Sequence, residues 1–60
     1  MNTHKVTIGF YQGRTEKLIY TATFFVIEES ELKAQTWVCN YLHAEDFWNF
    51  RVLGVEVCND

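Results

Sequence analysis

Cys39 and His43 stand four residues apart in the stretch WVCNYLHAEDFW, the spacing that brings two side chains onto one side of a helix. A thiol beside an imidazole is the starting set for nucleophilic catalysis, in which the base takes the proton from sulfur and an acidic group orients the base. The same pair could begin a zinc site, with His4 and Cys58 as further ligands. Both readings meet obstacles. His4 and Cys58 are isolated in the chain, no pocket-forming glycine motif accompanies the pair, and sixty residues leave little room for a closed active site. The favoured account is a semi-exposed thiol beside a surface imidazole. The two cysteines form no C-x-x-C and are expected to be reduced and partly buried. The expectation is a protein that is not an enzyme and holds neither metal nor cofactor.

Other chemistries fare no better. Glu28, Glu29 and Glu31 read as the acidic start of a helix rather than as a catalytic carboxylate pair. No P-loop, dinucleotide fingerprint or EF-hand loop occurs. The formal charge of −3, with Lys5, Arg14 and Arg51 scattered, argues against direct nucleic-acid binding, which needs a basic patch to neutralise phosphates. The charge suits a basic protein partner. No apolar run approaches the ~18 residues of a membrane span, and MNTHKV lacks the apolar core of a signal peptide. The expected setting is the cytosol, without membrane contact.

Any site must therefore be a binding surface, positioned by the elements the pattern predicts. Ten aromatic residues and no proline in sixty residues belong to a folded globule, and that length makes one domain, residues 1–60. KVTIGFYQ alternates through Val6, Ile8 and Phe10, the period of a half-buried strand. QGRTEK supplies Gly13 and a polar cluster for a hairpin loop. LIYTATFFVI is rich in β-branched and aromatic residues. Its alternation puts Leu18, Tyr20, Ala22, Phe24 and Val26 on one face and Ile19, Thr21, Thr23, Phe25 and Ile27 on the other. Ser30 is placed to cap a helix over about Glu31 to Ala44.

On that helix Ala34, Trp37, Val38, Tyr41 and Leu42 form a broad apolar stripe, with Trp37 expected in the core. Lys33, Thr36, Asn40 and His43 fall opposite. HAEDFWNF is a helix end or loop with Phe47 and Trp48 tucked back under the sheet. RVLGVEV closes the chain as a strand on which Leu53, Val55 and Val57 share a face. The order is ββαβ. A right-handed crossover through the helix puts the last strand beside the first, giving an α+β fold. Its three-stranded antiparallel sheet has the order 2-1-3, with one helix on one face. The free edge of the second strand and the uncovered sheet face stay open to a partner.

Over its full length the chain resembles the Dmd family, the antitoxins of T4-like bacteriophages. The resemblance rests on Lys5 and Val6 opening the first strand, the apolar and aromatic residues that follow to Tyr11, and the ββαβ order. It rests also on Asn40 late in the helix, on Phe47, and on the V-x-C ending of VEVCND at Cys58. It implies a stoichiometric inhibitor that binds host endoribonuclease toxins of type II toxin–antitoxin systems, those called RnlA and LsoA. The phage protein would replace the labile host antitoxin in the host cytoplasm and so protect phage mRNA. Asn40 is the contact residue carried over, and Glu31, Lys33, Thr36 and His43 are the neighbours expected to share the toxin surface. Where the family can carry a large aromatic near the helix start, this chain has Glu31, so the contact there would be weaker, electrostatic or displaced. A small phage inhibitor of another host enzyme, such as RNA polymerase, is the alternative.

Overall fold

A computed structural model describes residues 1–14 and 16–58. Thr15 of the expected hairpin loop, and Asn59 and Asp60 of the VEVCND ending, lie outside the described residues. The first strand, β1 (Asn2–Tyr11), buries His4, Val6, Ile8 and Phe10 on one face, so the expected row of three apolar residues is extended by a histidine. It lies at the centre of the sheet. β2 (Leu18–Glu28) pairs with one side of it and β3 (Phe50–Cys58) with the other, both antiparallel, in the order β2-β1-β3. Gly13 takes φ 53° in the hairpin loop, a left-handed conformation that costs glycine little. Gln12 N–H donates to the Lys17 carbonyl at 3.1 Å to close it.

Two irregularities change which side chains share a face. Pairing runs from Phe10↔Tyr20 to Tyr11↔Leu18, which leaves Ile19 as the extra residue of β2. On the other side it runs from Thr7↔Gly54 to Ile8↔Val52, which leaves out Leu53. A one-residue bulge reverses the alternation beyond it. Leu18, expected beside Tyr20, and Leu53, expected beside Val55 and Val57, therefore turn to the opposite face. There they meet over Gly9, where a Cβ would lie 3.0 Å from Leu18 Cδ1 and 2.9 Å from Leu53 Cδ1. Both bulges escape a strict count of two.

The helix α1 (Glu31–Ala44) covers the face that carries Val6, Ile8 and Phe10. Ser30 Oγ accepts from Lys33 N–H at 3.2 Å, which satisfies one of the free donors of the first turn. Glu31 adds negative charge at the positive end of the helix. Ala34, Val38 and Leu42, at i, i+4 and i+8, are its buried residues. They close a core with Val6, Ile8, Phe10 and Val26, against which Ala22, Phe24, Phe50, Val52 and Val55 pack.

Trp37 is not in that core. It is 48% exposed, and Tyr41 is 44% exposed. At 3.6 residues per turn Trp37 lies about 100° round from Val38, so the indole stands on the flank of the contact rather than beneath it. The Trp37 and Tyr41 rings stack on each other at 5.6 Å, and Tyr41 meets Phe24 edge-on at 6.0 Å. The buried stripe is thus one residue wide, narrower than the sequence suggests.

The helix ends in a left-handed turn. Phe47 N–H donates to Leu42 O at 2.8 Å, Asp46 N–H to His43 O at 3.0 Å, and Asp46 takes φ 68°. This is the two-bond cap in which glycine usually fills the left-handed position. Phe47 and Trp48 do not tuck fully under the sheet. Phe47 is half-exposed with its ring edge against Phe10 at 5.5 Å, whereas Trp48 is 66% exposed and stacks on His43 at 4.3 Å.

Candidate functional site

The outward face of α1 brings together three of the five residues expected to meet a partner. Lys33, Thr36 and Asn40 line an open groove of about 340 Å³ with Leu32, Trp37 and Glu28. Helical spacing explains the grouping, because residues three and four apart are surface neighbours. Thr36 Oγ1 donates back to Leu32 O at 2.9 Å, one turn earlier. Lys33 Nζ reaches Glu29 Oε2 at 3.0 Å, an exposed pair that orients the ammonium at the groove mouth and contributes little to stability. Asn40 is exposed, and its amide can donate and accept at once.

The other two expected residues stand apart. Glu31 is exposed at the first position of the helix but does not line the groove. His43 is drawn to the opposite end of α1, where its ring lies on Trp48 and 5.3 Å from Phe50. In exchange, the groove gains three residues not expected there, Glu28, Leu32 and Trp37. Leu32 is 71% exposed and Trp37 forms an apolar wall beside the polar row. The sequence carried no separate signal for Trp37, because the narrow stripe of Ala34, Val38 and Leu42 and the broad one with Trp37 and Tyr41 have the same period.

The sheet face opposite the helix is a second exposed apolar region. Phe25 and Ile27 are each 66% exposed on β2, whose outer edge pairs with nothing among the described residues.

The residues weighed for chemistry are dispersed. Cys39 and Cys58 are half-buried free thiols. His4 is 2% exposed, with Nε2–H donating to the Glu28 carbonyl at 3.2 Å and Nδ1 buried without a partner among the described residues. Among the described residues no three His, Cys, Asp or Glu side chains come together as a metal site would need, so Cys39, His43, Cys58 and His4 do not form a ligand set. Arg51 lies over the Tyr11 ring at 4.8 Å and is held by Glu16 at 2.9 Å, which raises the guanidinium pKa through the hydrogen bond. No described helix is long and apolar enough to cross a membrane. The arrangement on α1 can bind: it offers a ring and a leucine for burial, an amide for directional bonding and an ammonium for a carboxylate. Compared with known proteins, the chain matches no family model, no curated protein and no solved structure.

Proposed function

We propose that this chain is a phage antitoxin of the Dmd type, which binds a host endoribonuclease toxin of the RnlA or LsoA kind and blocks its cleavage of phage mRNA. The observation that carries the reading is the groove on α1, where Asn40 stands with Lys33 and Thr36 against Leu32 and Trp37. Asn40 is the residue that the family resemblance marks as a contact. A half-exposed tryptophan beside an exposed leucine and an amide suits an interface centre, where aromatic anchors supply most of the binding energy, with Lys33 at its polar rim.

Charge supports the same reading. A protein that grips RNA carries basic residues for the phosphates. An inhibitor with a formal charge of −3 is attracted to such a surface and gains in association rate. Inhibition here is stoichiometric. The bound chain occupies the toxin's surface and turns over no substrate.

Capture from host lysate tests the proposal. The tagged protein should retain an endoribonuclease toxin as its main eluted partner, and added purified protein should stop RNA cleavage by that toxin at a one-to-one ratio. An eluate dominated by RNA polymerase subunits, with RNA cleavage unaffected, would overturn it in favour of a different host target.

A further inference from the structure

The end of the molecule where α1 stops holds a second depression that the groove does not use. Phe10, Tyr20, Phe47 and Trp48 wall a cavity of about 320 Å³, with Ile19 and Asp46 also in its lining. The walls are braced against one another: Phe10 stacks on Tyr20 at 4.8 Å and meets Phe47 edge-on at 5.5 Å. The bulge at Ile19 and the left-handed turn at Asp46 bring β2 and the helix end to the same cavity.

The cavity is negative as well as aromatic. Asp46 contributes the one charged side chain of its lining, Glu45 precedes it in the chain, and the negative end of the dipole of a 14-residue helix lies at the same place, although its cap occupies the carbonyls of Tyr41, Leu42 and His43. No lysine or arginine lines it. A carboxylate at this end of a helix opposes the helix dipole, and Asp46 also holds a φ of 68° where glycine is favoured. Such local cost at a cavity points to a role for the side chain. Trp48 Nε1–H donates to Asp46 Oδ1 at 3.0 Å, which fixes the carboxylate beside the indole and leaves Oδ2 for another donor.

The same region shows what this combination of groups holds. The Arg51 guanidinium lies over Tyr11, itself a lining residue, with the Glu16 carboxylate at its side. We propose that the cavity is a receptor for an arginine side chain presented by a protein partner, its guanidinium stacked on the aromatic walls and bonded to Asp46. Arginine fits better than lysine because its planar, weakly hydrated head stacks on rings and still donates to a carboxylate. The inference rests on this cavity alone and does not depend on which partner occupies the α1 groove.

The indole N–H of Trp48 reports on the site, since it bonds directly to Asp46. Its NMR resonance in the full chain is followed while N-acetyl-arginine methylamide is added, and then the citrulline counterpart, which keeps the shape and lacks the charge. The arginine probe should give a saturable shift, with the citrulline probe weaker by at least about tenfold. Asp46→Asn should reduce arginine binding to the citrulline level, because asparagine tolerates the left-handed backbone. Asp46→Gly serves the same purpose if the asparagine variant loses its fold. Equal binding of the two probes, or no saturable shift, would overturn the proposal. Tighter binding of tetramethylammonium than of the arginine probe would overturn it too, in favour of a cage for a small free cation.

Discussion

At the scale of single residues, burial separates what the fold needs from what a partner can use. Leu42 is in the core and Trp37 is not, although both are large, apolar and on the same helix. Leu42→Ala should cost about 2–5 kcal/mol, from lost burial and the cavity left behind. Trp37→Ala should cost less, about 1–3 kcal/mol, from the half of its surface that is buried and the stacked ring pair with Tyr41. Urea denaturation of the two variants checks the ranking, and a larger loss for Trp37 would return its indole to the core. Trp37 was misplaced in the sequence because a stripe two residues wide and one residue wide share the same periodic pattern. Which of them is buried depends on the width and curvature of the sheet beneath, a tertiary property. The outward placement of Lys33, Thr36 and Asn40 was legible because it requires only the helical repeat and the location of the innermost residues. His43 left that group through a contact with Trp48 that no local pattern encodes.

At the scale of elements, the two ends of α1 make opposite predictions. Ser30 caps the start with a side-chain bond, so Ser30→Ala should cost about 1 kcal/mol and Ser30→Asp should retain most of the stability. Asp46 ends the helix in the left-handed region, so Asp46→Gly should leave the melting temperature unchanged or raise it, by up to about 1 kcal/mol in stability. Thermal melts followed by circular dichroism test both, and a clear loss in Asp46→Gly would show that the bond to Trp48 outweighs the backbone strain. The span Glu31–Ala44 could be read in advance because its N-cap and core periodicity are local signals. The strands were legible in order and approximate position, although β1 begins at Asn2 rather than Lys5, and in facing only up to their bulges. Leu18 and Leu53 crossed to the open face because an extra residue in one strand leaves composition unchanged and reverses every later side chain. The cavity beside Asp46 was out of reach for a related reason: it needs the Ile19 bulge and the helix cap together, from segments far apart in the chain.

At the scale of the whole molecule, a chain of sixty residues has limited stability, on the order of 3–9 kcal/mol at the usual value per residue. It still leaves Phe25, Ile27, Leu32, Trp37 and Trp48 exposed, which is apolar surface withheld from the core. A partner that covers any of it would stabilise the fold by mass action. The proposed toxin contact predicts which surface matters. Asn40→Ala should change stability by no more than roughly 0.5 kcal/mol, since the side chain is exposed. In a buried complex the same change leaves toxin groups unpaired at about 1–3 kcal/mol, a loss of roughly five- to 150-fold in affinity. The direct measurement is growth rescue of toxin-expressing cells by the Asn40→Ala variant, with circular dichroism on the same protein. A folded variant that fails to rescue is the predicted result; full rescue by the folded variant would contradict the account, and unfolding would contradict the placement of Asn40 on the free face of α1.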